Sequence, residues 1–165
     1  MYKNNQYRCP HCGKTVSYNT MPTGTCHSYT DYGPQPIVFN IHEATNRNSA
    51  FRSSLWTGTH LQLTVMCINP GEEIGPEIHY DLDQFVRIEE GTATVRFGSK
   101  KNCFDKDIAV DCNYAVIIPA CTWHNIINTG CVPLKVYSIY APPAHPFNTV
   151  EMTKAEAEAQ MHPKH

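Results

Sequence analysis

Long hydrophobic runs are missing from this chain of 165 residues. No apolar stretch approaches the roughly 18 residues that cross a bilayer, so no spanning helix is expected. The first residues, MYKNNQYRCPHCGK, lack the apolar segment of a secretory leader. A cytoplasmic location with reduced thiols is the resulting expectation. An excess of charge of one sign is missing as well. Thirteen basic and 15 acidic residues give a net charge of -2, with 17% charged residues overall. Neither nucleic acid nor an anionic membrane is an expected partner for such a surface. The 8 cysteines fall below the density of a disulfide scaffold. No internal repeat is visible. A chain of this length buries about two-thirds of its unfolded surface, enough for a single core.

What is present is mainly β after about residue 55. Leu61 to Asn69 (LQLTVMCIN) reads as a strand ending at Pro70-Gly71. Gln84 to Glu89 and Thr92 to Phe97 flank Glu90-Gly91 and read as a hairpin. Leu134 to Ala141 (LKVYSIYA) is a strand stopped by Pro142-Pro143. Ser99 to Asp111 reads as a polar connection. Several short strands with turn signals between them indicate an all-β sandwich or barrel. Asn40 with Glu43, and Thr153 with Glu156, are start signals for two short helices. The first should run to about Asn48, and the second should pack through Ala157 and Met161.

Two runs carry the chemistry. In GEEIGPEIHYDLDQFVRIEEG, Gly71 to Gly91, Glu77 and His79 stand two apart, and in an extended strand they project to the same side. Gln84 follows a polar turn, Tyr80 to Asp83, that can bring it back near His79. Asp83 is one residue out of phase and should face away. In NYAVIIPACTWHNIIN, a strand from Ala115 to Ile118 meets Pro119, and His124 begins a second strand, inward with Ile126 and Asn128. Two imidazoles, a carboxylate and an amide oxygen suit a divalent first-row metal. The alternative is a set of inward polar groups bonded only to each other and to water. An inward glutamate beside an inward histidine is costly to bury unless something pairs with them, which favours the metal.

The spacing of Gly71, Glu77, His79, Gln84 and Gly91, and of Asn113, Pro119, Cys121, His124 and Asn128, resembles the two motifs of a cupin. The resemblance implies a double-stranded β-helix, a jelly-roll barrel, over residues 37–150. An N-terminal arm, 1–36, would precede it and a short C-terminal helix and tail, 151–165, would follow. It also implies one divalent metal in the barrel (iron, manganese, nickel or zinc) held by Glu77, His79, Gln84 and His124. Such barrels commonly pair, so a homodimer is expected. Four positions depart from the motifs: Glu77 stands for a histidine, Gln84 for a glutamate, and Asn113 and Cys121 for turn glycines. Asparagine tolerates the left-handed conformation. A cysteine there means either that no positive φ is needed or that the turn is strained.

Small single-barrel cupins resemble mannose-6-phosphate isomerase-like proteins. A phosphosugar enzyme needs clustered cations. Arg87 is out of phase with Gln84, and Arg96 and Lys135 do not cluster, which leaves a neutral or weakly acidic small molecule. Glu77 is the candidate catalytic base, although ligand and base are roles it cannot easily hold at once. Three functions fit: a metal-dependent isomerase, lyase or oxygenase, a non-catalytic metal- or sugar-binding module, and a structural or coat protein. The last draws on the arm, which carries Tyr2, Tyr7, Tyr18, Tyr29 and Tyr32.

In that arm, Cys9-Pro10-His11-Cys12-Gly13 has zinc-knuckle spacing, and Cys26 and His27 could complete a tetrahedral structural zinc site. The plain alternative is an arm with reduced thiols. Cys67 reads as a small buried hydrophobe and Tyr80 as an outward side chain. Trp123 reads as an anchor between barrel and loop, or as a shield or stacking platform at the site.

Overall fold

The computed structural model describes residues 3–8, 15–20 and 29–161. Strands β1 (Lys3–Arg8), β2 (Thr15–Thr20) and β3 (Ile37–Val38) form a small sheet in that order. Helix α1 (Ile41–Arg47) follows. Then come β4 (Arg52–Thr57), β5 (Gln62–Ile68), β6 (Asp83–Glu90), β7 (Ala93–Lys100), β8 (Cys103–Val110), β9 (Ala115–Ile118), β10 (Trp123–Asn128), β11 (Leu134–Ala141) and β12 (Val150–Glu151). Helix α2 (Lys154–Met161) ends the described chain. Among the described residues no helix is long and apolar enough to cross a membrane.

Two sheets face each other: β12-β4-β5-β11-β6-β9 and β10-β7-β8. Val95, Val110 and Ile126 of the smaller sheet pack with Met66, Val86 and Val136 of the larger one in a single core cluster. The architecture is the all-β double-stranded β-helix expected, with its short C-terminal helix. Both helix signals hold. The Asn40 side chain accepts from the Glu43 backbone N–H at 3.1 Å, and Thr153 Oγ1 accepts from Glu156 at 3.3 Å. Ala157 of α2 is buried in the main core.

Two local expectations fail. Strands β6 and β7 are not a hairpin: β6 pairs with β11 and β9, and β7 pairs with β10 and β8. The turn between them carries the chain from one sheet to the other. Gly91 makes this crossing at φ 95°, where an added Cβ would lie 3.1 Å from the Leu134 Cα. A tight turn looks the same in sequence whether the strands beside it pair or part. Likewise 99–111 is no mere connection, because β8 pairs with β7 along nearly its whole length. Charged residues hid this strand, since its side chains are mostly exposed.

Register divides the barrel interior. Leu134 lies opposite Ile68, and Val136 opposite Met66 on one side and Ile88 on the other. Further along β11, Ser138 lies opposite Thr64, and Tyr140 lies between Gln62 and Gln84. All of these are buried. One end of the barrel is therefore apolar and drives collapse, while the other is lined by polar groups that must find partners. The outer face of β5 is closed by a second cluster, in which Leu63 and Val65 pack with Phe39, Ile41 and Ala44 from the segment before β4.

Candidate metal centre

The polar end holds the three donors that sequence spacing singled out. Glu77 and His124 are directly opposite each other and exchange both backbone hydrogen bonds, each at 3.0 Å. The run around Glu77 and His79 is extended, with bridges only at Glu73 and Glu77, and is not a full strand. The His79 carbonyl accepts from the Cys121 N–H at 2.6 Å, which ties the first motif to the second. The ligand atoms of Glu77, His79 and His124 all lie within 4.8 Å of one another.

Their chemistry suits an ion. His124 Nδ1 is 2.9 Å from the Thr122 carbonyl, to which it donates. In a neutral ring this leaves the Nε2 lone pair facing Glu77 Oε1, 3.1 Å away. His79 Nε2 lies 3.7 Å from the same oxygen and is buried without a hydrogen-bond partner among the described residues. Gln84, 2% exposed, faces inward between Tyr140 and Ile118, and neither atom of its amide has a partner there. Orphaned nitrogen and oxygen atoms in the barrel interior, that of His79 lying beside the Glu77 carboxylate, fit a divalent cation. They do not fit a barrel end whose polar groups satisfy one another.

Burial would raise the Glu77 carboxyl, but the hydrogen bond to His124, the His79 ring nearby and the charges of His124 and Arg52 hold it well below the ordinary carboxylate range. Burial would lower His124, yet its hydrogen bond to Glu77 and that carboxylate's charge leave it above the ordinary imidazole value. The pair is a prearranged carboxylate and imidazolium that an incoming cation can divide.

The remaining sequence candidates are placed as follows. Cys9, Cys12, Cys26 and His27 lie outside the described residues. Asp83 is exposed and its Oδ1 accepts from the Ala120 N–H at 2.9 Å. Arg87 turns outward to Glu89 and Asn113. Tyr80 is exposed, Trp123 is half-buried and Cys67 is buried. Asn128 serves the far end, donating to the Ile68 and Val132 carbonyls and accepting from Gly130.

Cys121 adopts φ 63° and Asn113 φ 75°, so both substituted turns keep the left-handed conformation. For cysteine this is strain. Cys121→Gly is expected to raise stability by about 0.5–1 kcal/mol, read as a higher urea midpoint at unchanged slope. A lower midpoint would mean that the contact of its thiol with the Tyr80 carbonyl, at 3.6 Å, outweighs the strain.

Three residues of this end escaped the sequence reading. Arg52 on β4 lies opposite Met66 and is 2% exposed. Tyr140 lies opposite Gln84, and its phenol is pushed up to about 12 by burial, against the pull of Arg52. His145 lies beyond the end of β11. Alternation along β5 and β11 would have found the first two once the pairing was known. Nothing in the local sequence marks His145.

A Cupin domain model matches residues 64–140, the span of both motifs and the strands between them. The chain is 54% identical over 129 residues to the uncharacterized protein YrkC of Bacillus subtilis (strain 168), covering 78% of this chain and 69% of that one. It is 38% identical over 124 residues to protein L612 of Acanthamoeba polyphaga mimivirus, covering 74% and 76%. The crystal structure of BH2720 from Bacillus halodurans superposes with a TM-score of 0.78 at 56% identity, over 79% of this chain and 98% of that one. With the barrel, the two motifs in register and relatives this similar over most of their length, the chain belongs to the cupin superfamily.

Proposed function

We propose that the protein is a metal-dependent enzyme of the isomerase, lyase or oxygenase type, acting on a small sugar-like or oxygenated molecule. The observation that carries this is the triad of Glu77, His79 and His124, converging at the polar end of the barrel, where the Gln84 amide is also buried and unpartnered. Two imidazole nitrogens and a carboxylate oxygen, with the Gln84 oxygen as a fourth donor, suit iron, manganese, nickel or zinc. The ion would supply Lewis acidity, polarising a substrate carbonyl or hydroxyl. Glu77 directs a single oxygen, Oε1, at both histidines. Were the ion held through Oε1, Oε2 would remain free to accept a substrate proton, so Glu77 could serve as both ligand and base. A phosphosugar is disfavoured, because the inward cation Arg52 is already paired with Glu151 at 2.7 Å. We also expect a cytoplasmic homodimer.

The test is metal content per chain in tag-free protein, wild type against His124→Ala. About one equivalent in the wild type, absent from the variant together with turnover, is the expected result. A zinc equivalent surviving in the variant would belong to Cys9, Cys12, Cys26 and His27. A metal-free wild type that cannot be loaded would sink the enzyme proposal. A loaded protein that holds its ligand unchanged would make it a binding module.

A further inference from the structure

The Glu77 carboxylate reaches His124 only because the run that carries it changes phase. Glu73 lies opposite Ile127, and Glu77 lies opposite His124. From the first pair to the second, the run from Glu73 to Glu77 advances four residues, while β10, from Ile127 to His124, advances three. β10 pairs with β7 without a shift through this stretch, so the extra residue belongs to the first run. Regular pairing onward from Glu73 would have set Glu77 opposite Trp123. Its side chain would then share the face of Glu73 and Ile127, the reverse of the face of His124. Instead Ile74 and Glu77, an odd number of residues apart, both turn inward: Ile74 joins the core cluster and Glu77 meets His124.

The phase changes at Gly75-Pro76. Gly75 has φ 105°, a conformation that a side chain would strain. Pro76 has no N–H to leave unpaired in the bulge. One buried side chain closes it. Asn125, 2% exposed and next to His124 on β10, accepts from the Gly75 N–H through Oδ1 at 3.0 Å. Its Nδ2 donates to Glu73 Oε2 at 2.8 Å. An N–H on one side and a carboxylate on the other fix which way the amide faces. Glu73 Oε1 lies 3.3 Å from Lys154 Nζ, so α2 steadies the same carboxylate. The residue before the bulge and the glycine within it are thus both held by one amide.

We propose, resting on the metal-centre reading, that Asn125 is a positioning residue: its amide holds the bulge that turns Glu77 toward His124. Asn125 acts through Glu77 and is not itself a ligand.

Cobalt(II) uptake by tag-free protein, followed by visible absorption, tests this. Asn125→Ala should bind cobalt about tenfold more weakly, with an altered absorption band. The double variant Asn125→Asp with Glu73→Gln exchanges donor and acceptor at unchanged net charge. Its new carboxylate accepts from both the Gly75 N–H and the new amide, so its affinity should return to within about threefold of wild type. Wild-type affinity in Asn125→Ala, or a double variant that binds no tighter than Asn125→Ala, would overturn the assignment. If Asn125→Ala does not fold, Glu73→Ala takes its place. It leaves the amide free to turn and should weaken cobalt several-fold, and wild-type affinity would again overturn the assignment. A wild type that takes up no cobalt removes the metal proposal alone. The crystal structure of metal-free Asn125→Ala then decides: Glu77 Oε1 should lie out of hydrogen-bond reach of His124 Nε2, and an unmoved Glu77 would sink the role of Asn125.

Discussion

Glu151→Ala is expected to destabilise the protein by about 3–5 kcal/mol, a large part of the roughly 5–15 kcal/mol that holds a domain of this kind folded. Arg52 Nη1 donates to Glu151 Oε2 at 2.7 Å, and the two side chains are 3% and 4% exposed. Burial alone would lower the guanidinium, but the Tyr140, Glu77 and Glu151 side chains keep it above its ordinary value. It therefore stays charged when its partner is removed. Its Nε already lacks a partner among the described residues, so no second acceptor waits to replace the carboxylate. The loss also reaches the fold's edge, because β12 is only two residues long and pairs with β4 at Arg52 and Ser53. The double variant Arg52→Met with Glu151→Leu removes both charges and fills the space. It should be clearly more stable than Glu151→Ala alone, since an apolar pair costs no desolvation of ions. Urea unfolding of the three proteins decides the matter. A loss below about 1 kcal/mol for Glu151→Ala would show that water reaches the guanidinium.

The same arginine shows where the sequence stops being readable. Glu77, His79 and His124 were legible because their spacing is local: two residues apart in an extended run, and one inward position at the start of a strand. Inward alternation at Gln84, His124, Ile126 and Asn128, and outward placement of Asp83 and Arg87, also follow from a period of two. The barrel class followed from short strands and turn signals. Pairing did not follow. Glu90-Gly91 looked like a hairpin because a tight turn carries no mark of whether its flanking strands stay in one sheet. Arg52 and Tyr140 enter the site only through the registers of β4 with β5 and of β11 with β6. His145 depends on Gln62, 83 residues away, holding its backbone. Long-range hydrogen bonds of that kind leave no periodic trace. The left-handed φ at Cys121 was a question the sequence could pose but not answer, because cysteine neither requires nor forbids it.

Metal affinity should rise steeply with pH while the stability of the metal-free protein falls. Two shifts of opposite sign meet in one pair. The Glu77 carboxyl is lowered in the fold, so the stability it contributes is present above the ordinary carboxylate value of 4.5 and is lost as pH falls through its lowered value. The His124 imidazole is raised, so its contribution is fully present below the ordinary value of 6.5 and is lost as pH climbs through the raised value. Without metal, the pair stabilises most between about 4.5 and 6.5. A cation needs the His124 Nε2 lone pair, so binding must expel the proton that Glu77 retains there. Below the raised value of His124, affinity should fall about tenfold for each pH unit, with about one proton released per ion bound. Thermal midpoints measured with and without excess manganese should therefore diverge as pH rises from 6 to 8. Calorimetry in buffers of different ionisation enthalpy counts the proton directly. The side chains of Glu77 and His124 are 15% and 1% exposed, so added salt should alter this dependence little. An affinity that stays flat across the range, with no proton released, would mean that His124 is not a ligand. The raised imidazole would then be a structural ion pair, and the orphaned atoms of His79 and Gln84 would need another partner.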